Sequence, residues 1–129
     1  MEIKSSQVTI ALADDVPGNR FAIVQLLERL GHNVICAVSN GAELVDHCAE
    51  QQVDVVLTDL DMPVMDGLAA AQELAEKGIP VILVSGHSDA DKIVLEHEPV
   101  VARVAKPASL ESLQSAIEQA LSDIPRRPK

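Results

Sequence analysis

In Leu57-Thr58-Asp59-Leu60-Asp61-Met62-Pro63-Val64-Met65-Asp66-Gly67 a carboxylate ends an apolar run and a Pro/Gly-bearing loop follows it. Asp59 closes Val53-Asp54-Val55-Val56-Leu57, so it stands on a rigid edge where a strand gives way to a loop. Asp14-Asp15 ends a second apolar run and Lys106-Pro107 a third. Three carboxylates and one amine at strand ends describe a small acidic pocket with a cation in it. Carboxylates so clustered cannot all stay ionised without compensation. A hard divalent cation with oxygen ligands supplies it, and Mg2+ is the natural candidate in the cytoplasm. Such an ion would also bridge a phosphoryl oxygen and withdraw charge during transfer. Asp59 is then the best nucleophile, because a carboxylate can form an aspartyl phosphate, a reactive mixed anhydride that suits a transient signal. Lys106 would bring a mobile positive charge from the opposite side. Ser85 offers a hydroxyl at the end of another apolar run, and the backbone N–H groups of Leu60 and Gly86 can hold the remaining oxygens.

Positioning these groups takes five strands, expected near Gln7–Ala13, Asn33–Val38, Val53–Thr58, Ile79–Val84 and Val100–Ala105. Runs such as Val81-Ile82-Leu83-Val84 are apolar on both faces, as parallel strands covered by helices must be. Helical periodicity fills the intervals. Ile23, Leu26, Leu27 and Leu30 form a stripe ending at Gly31, and Asn40 with Glu43 resembles a capping box. Asp66 can cap a helix carrying Leu68, Ala71, Leu74 and Ala75, closed by Gly78. A short helix is expected over Asp89–Glu96, and Ser109 can cap a last one bearing Leu110, Leu113, Ile117 and Leu121. The (βα)5 alternation implies an α/β, doubly wound five-stranded parallel sheet in the order 2-1-3-4-5. Ligands of such sheets bind at the carboxyl ends of the strands where the chain reverses, and Asp14, Asp15 and Asp59 all fall there. A dinucleotide is a poor fit, since the first loop, Asp14-Asp15-Val16-Pro17-Gly18-Asn19, would repel a pyrophosphate.

At 129 residues the chain makes one domain, and its single aromatic, Phe21, leaves the core to Val, Leu, Ile and Ala. A formal charge of −10 repels phosphate backbones, so no direct nucleic-acid binding is expected. No signal peptide or membrane span is visible, which implies a soluble cytoplasmic protein without a membrane partner. Cys36 and Cys48 lack metal-ligand spacing and read as buried free thiols rather than a disulfide. His32, His47 and His97 show no paired spacing and read as surface residues; Met62 and Met65 read as packing.

Taken in order and spacing, Asp14-Asp15, the Asp59-to-Gly67 motif, Ser85-Gly86 and Lys106-Pro107 resemble a response-regulator receiver domain over roughly residues 6–122. The resemblance implies a flavodoxin-like fold and a two-component phosphorelay. Asp59 would be the phosphoacceptor, served by a histidine kinase or a histidine phosphotransfer protein, with an unknown downstream protein receiving the signal. Asp15 would ligate Mg2+ directly, Asp14 through water, and Asp59 and the backbone carbonyl of Asp61 would complete the protein's share. Ser85 and Lys106 would contact the phosphoryl group, and the Lys106-Pro107 peptide would be cis. Such a domain is a phosphoacceptor rather than an enzyme, catalysing at most its own phosphorylation and dephosphorylation. His87, two residues after Ser85, either influences hydrolysis of the phosphoryl group or is an exposed loop residue.

Two positions depart from the family pattern. Arg103 stands three residues before the lysine, where an aromatic rotamer switch is usual, and Ala108 replaces a common Phe after Lys-Pro. Arg103 either swings toward the acidic pocket as a charge-based switch or remains a solvated face residue. Each motif alone has a bland reading: Asp59 as a loop cap, Asp14-Asp15 as a solvated turn, Lys106-Pro107 as an ordinary turn. Their coincidence favours the chemical one. Asp59-Leu60-Asp61 also fits the acidic pair of haloacid-dehalogenase-like phosphatases, although that pair normally follows the first strand. A third reading is a pseudo-receiver that docks partners without phosphorylation. The expected domain covers residues 1–123, and the basic, proline-rich tail 124–129 is either the end of a stand-alone receiver or the start of a linker.

Overall fold

The computed structural model describes residues 7–60, 62–86 and 100–123. Five strands, β1 (Thr9–Ala13), β2 (Asn33–Val38), β3 (Val55–Asp59), β4 (Val81–Ser85) and β5 (Ala102–Ala105), pair in parallel in the order β2-β1-β3-β4-β5. Four helices are described: α1 (Pro17–Arg29), α2 (Gly41–Glu50), α3 (Gly67–Glu76) and α4 (Leu110–Asp123). The fold is the expected doubly wound sheet. The helix read over 89–96, like Asp61 and His87, lies outside the described residues.

Alternation along each strand sorts side chains into two layers. On one face Ile10, Leu12, Val55, Leu57, Ile82, Val84 and Val104 meet Ile23 and Leu27 of α1 and Leu113 and Ile117 of α4. On the other, Ala11, Ala13, Val56 and Val81 meet Leu44 and Cys48 of α2 and Ala70, Ala71 and Leu74 of α3. Every residue of β3 and β4 is buried, which is why those two runs read as unbroken apolar stretches. Phe21 is 66% exposed, so the described core is aliphatic throughout. Met62 and Met65 pack against the second layer, as read from the sequence.

Local chemistry starts each helix. Pro17 opens α1 at a position where a missing N–H costs nothing. The Asn40 side chain accepts from Glu43 N–H at 2.9 Å, and the Asp66 side chain from Ala69 N–H at 2.9 Å. The capping box is looser than expected: Glu43 reaches back to Ser39 N–H at 3.4 Å. Ser109 and Ser112 cap α4 reciprocally, each hydroxyl accepting the other's backbone N–H.

Strand limits differ from the sequence reading in one useful way. All strands but β2 start two residues late; Pro80, for instance, has no N–H to donate. At their other ends β3 and β4 each run one residue further, so Asp59 and Ser85 are the last residues of strands and not the first of loops. Cys36 and Cys48 are buried free thiols. Burial, then the neighbouring Cys36, pushes the Cys48 thiol up to about 11 against the opposing charge of Lys77, so it is a poor nucleophile.

His32 corrects the sequence reading. It is buried, because it opens the turn into β2 directly beside β1, and its Nδ1 accepts the Val8 N–H at 3.2 Å. That bond requires an unprotonated Nδ1, and burial lowers the imidazole pKa below 6.5. The stabilising contribution of a group with a lowered pKa is complete above its unfolded value of 6.5 and is lost as pH falls through the folded value. Urea unfolding between about pH 8 and about pH 5 is expected to show wild type losing roughly 1 kcal/mol more than His32→Gln, whose amide oxygen can keep the bond without titrating. Parallel pH profiles for the two proteins would contradict this account.

Candidate functional site

The carboxyl ends of β1, β3, β4 and β5 deliver the chemistry-bearing residues to one edge of the sheet. Asp14 follows β1 and is almost wholly buried. Its N–H donates to Val38 O at 3.0 Å and its Oδ1 accepts the Val16 N–H at 2.9 Å, which turns the chain into α1. Asp59 ends β3; its Oδ1 accepts the Leu60 N–H at 2.8 Å. Lys106 follows β5, with its backbone N–H on Ser85 O at 3.1 Å, and the Lys106-Pro107 peptide is cis.

The lysine side chain joins the two acids. Its Nζ lies 3.2 Å from Asp14 Oδ2 and 3.3 Å from Asp59 Oδ2. Asp14 Oδ2 accepts no well-aligned hydrogen bond, so its contact with the ammonium is chiefly one of charge. Burial works against the charge on Lys106, but Asp14 and Asp59 together outweigh it and raise its pKa above 10.5. For Asp59 burial dominates: together with the Asp14 carboxylate it raises the pKa above 3.8, against the pull of Lys106 and the Leu60 N–H.

Carboxylate oxygens of Asp14, Asp15 and Asp59 all lie within 4.8 Å of one another. Three carboxylates against one ammonium leave two net negative charges, the deficit a divalent cation would balance. The donors are all hard oxygens, and Asp14 Oδ2 is buried without a hydrogen bond. This set fits Mg2+. Ser85 is buried at the end of β4, and Gly86 beside it is exposed. Arg103 is exposed on β5, in register with Leu83.

Several supporting features have no sequence signal that would have found them. Gly41 donates its N–H to Met65 O at 3.0 Å, and Gly67 donates to Leu60 O at 2.8 Å, so the loop after β3 is pinned at two points. A Cβ on Gly67 would collide with the Asp59 carbonyl, so no larger residue lets α3 begin this close to β3. Between the pins, Met65 N–H closes on Pro63 O at 2.7 Å around Val64, whose φ of 72° costs a β-branched residue about 1–3 kcal/mol. Finally, Arg20 Nη1 donates to the Asp14 carbonyl at 2.7 Å.

The family profile for the response regulator receiver domain matches residues 10–118. The chain belongs to that family. Over 117 residues the receiver domain is 36% identical to the tetrathionate response regulatory protein TtrR of Salmonella typhimurium, covering 88% of this chain and 56% of TtrR. It is 29% identical over 119 residues to the autoinducer 1 sensor kinase/phosphatase LuxN of Vibrio campbellii, covering 91% of this chain but 14% of LuxN. It thus spans about half of one relative and a small part of the other. Among solved structures, the receiver domain of the sensor histidine kinase PA1611 from Pseudomonas aeruginosa PAO1 superposes with a TM-score of 0.80 at 26% identity, over 91% of this chain and 99% of that one. That structure holds a magnesium ion coordinated in its active-site cleft. Among the described residues, no helix of this receiver domain is long and apolar enough to cross a membrane.

A raised carboxylate pKa means that the ionised form is penalised on folding. The penalty is complete above the folded pKa and is relieved as pH falls through it toward 3.8. In EDTA at neutral pH, Asp59→Asn is therefore expected to be more stable than wild type by about 1 kcal/mol, with the difference shrinking on acidification. Chemical denaturation of both proteins checks it; a less stable Asn variant would show that the Lys106 contact outweighs burial.

Proposed function

We propose that this receiver domain accepts a phosphoryl group on Asp59 from a phosphohistidine of a histidine kinase or histidine phosphotransfer protein, with Mg2+ as cofactor. The observation that carries the reading is the Lys106 ammonium bridging Asp14 and Asp59 inside a three-carboxylate cluster. An oxygen of the Asp59 carboxylate attacks phosphorus, the O–P bond forms, and the histidine N–P bond breaks. The leaving imidazole keeps the bonding electron pair and takes a proton. Asp14, Asp15, Asp59 and the carbonyl of Asp61 would hold Mg2+, which when bound neutralises phosphoryl charge. Lys106, already placed by two carboxylates, turns its charge to the new oxygens; the Ser85 hydroxyl and the N–H groups of Leu60 and Gly86 take the others. Leu60 N–H is held by Asp59 Oδ1 before transfer and must be shared afterwards.

The magnesium in the cleft of the PA1611 receiver supports the choice of ion. Asp59 of the acidic pair closes the third strand, whereas a haloacid-dehalogenase-like phosphatase places its pair at the first, so a signalling role is favoured over turnover. On this reading the domain works in the cytoplasm, and a downstream protein senses the phosphorylated face. Arg103 is our candidate for that readout: exposed on β5, it occupies the position from which an aromatic side chain usually reports.

Incubation with Mg2+ and acetyl phosphate is expected to add one phosphate-sized mass to wild type and none to Asp59→Asn, with Lys106→Ala labelled at least about 100-fold more slowly. No gain in wild type would refute phosphoacceptance, and sustained hydrolysis of p-nitrophenyl phosphate would favour the phosphatase. If Arg103 reports phosphorylation, Arg103→Ala will gain phosphate normally but lose the Mg2+- and beryllofluoride-dependent change in backbone amide NMR shifts along β4 and β5. An unchanged pattern would remove it from the readout.

A further inference from the structure

We infer that Arg20 is a positioning residue for the metal site: by fixing the Asp14–Asp15 peptide plane it sets the direction from which Asp15 offers its carboxylate. This rests on the Mg2+ site proposed above and concerns a residue outside the acidic cluster. The contact is short and charge-assisted, Arg20 Nη1 to Asp14 O at 2.7 Å, and Arg20 is half-buried in the first turns of α1. Its own backbone N–H donates to Val16 O at 2.9 Å, so the arginine is anchored on the helix before its side chain folds back over the turn.

Two other polar groups of Asp14 are held by hydrogen bonds, and Oδ2 meets only the charge of Lys106. The N–H is held by Val38 O, Oδ1 by Val16 N–H, and Oδ2 faces Lys106 at 3.2 Å. The carbonyl is the remaining handle, and Arg20 holds it. A peptide unit is planar, so anchoring the Asp14 carbonyl also fixes the Asp15 nitrogen and Cα. Asp15 is exposed and has no core packing to orient it; the peptide on its N-terminal side must do so. Yet its carboxylate converges with those of Asp14 and Asp59 to within 4.8 Å. Freed of Arg20, that peptide can rock, and the three acids no longer present one preformed oxygen set.

Charge and geometry predict opposite signs, which makes the inference testable. Removing a cation beside an acidic cluster should tighten Mg2+ binding if charge alone matters. Removing a positioning bond should weaken it, by about 10-fold for a group one layer behind a metal ligand. Mg2+ binding to the full chain would be measured by calorimetry for wild type, Arg20→Met and Arg20→Lys, alongside thermal unfolding in EDTA. The expected result is roughly 10-fold weaker binding for Arg20→Met, an intermediate value for Arg20→Lys, and melting close to wild type. Acetyl phosphate labelling of Asp59 should then recover at saturating Mg2+, since the defect lies in affinity. Equal or tighter binding by Arg20→Met overturns the inference. If that variant does not fold, Arg20→Lys decides, because it keeps the charge but not the forked donor; wild-type affinity there also overturns it. Failure of wild type to bind Mg2+ at all would sink the metal site and this inference together, whereas failure confined to the variants sinks only the role of Arg20.

Discussion

The Lys106 ammonium, held between Asp14 Oδ2 and Asp59 Oδ2, is the interaction around which this edge of the sheet is organised. Two buried carboxylates placed side by side repel each other and lose hydration. One lysine offsets part of that cost. The cluster still carries a net deficit of positive charge once the exposed Asp15 is included, and this residual imbalance makes the site receptive to a divalent ion. The raised pKa of Asp59 expresses the same incompleteness: burial still exceeds what Lys106 returns.

Holding such a frustrated cluster in place requires stiffness elsewhere. It comes from β3 and β4, buried along their full length and packed on both faces by aliphatic side chains. The loop after β3 is tied to α2 through the Gly41–Met65 bond, and its two ends are joined through Gly67–Leu60. Those anchors hold Val64 in a left-handed turn that an unpinned chain would abandon. Strain in the loop and uncompensated charge in the pocket therefore sit side by side, both borne by an aliphatic sheet that has little freedom to relax.

Arg103, exposed on β5, and the small Ala108 stand where the family pattern usually has aromatic residues. An aromatic ring reports by filling or vacating a pocket; a guanidinium reports through charge and hydrogen bonds, which act over a longer range and are screened by salt. Phosphorylation adds negative charge, so under the proposed function a cationic side chain at this position would be physically coherent as a reporter.

Much of this protein was legible in the chain itself. Strand and helix order followed from apolar runs alternating with helical stripes, because burial on both faces of a parallel sheet leaves an unmistakable pattern in β3 and β4. Asp14, Asp15, Asp59 and Lys106 were recognisable as one site because strand ends in such a fold gather at one edge. His32 was misread, since a single histidine carries no periodicity and its burial depends on β1 lying against the start of β2. The bond from Arg20 to the Asp14 carbonyl, the close approach of Gly67 to Asp59 and the turn at Val64 were equally invisible. Residue types and spacing determined which groups meet. Backbone carbonyls, which every residue possesses and no sequence distinguishes, decided how firmly they are held, and only the folded chain shows where those carbonyls point.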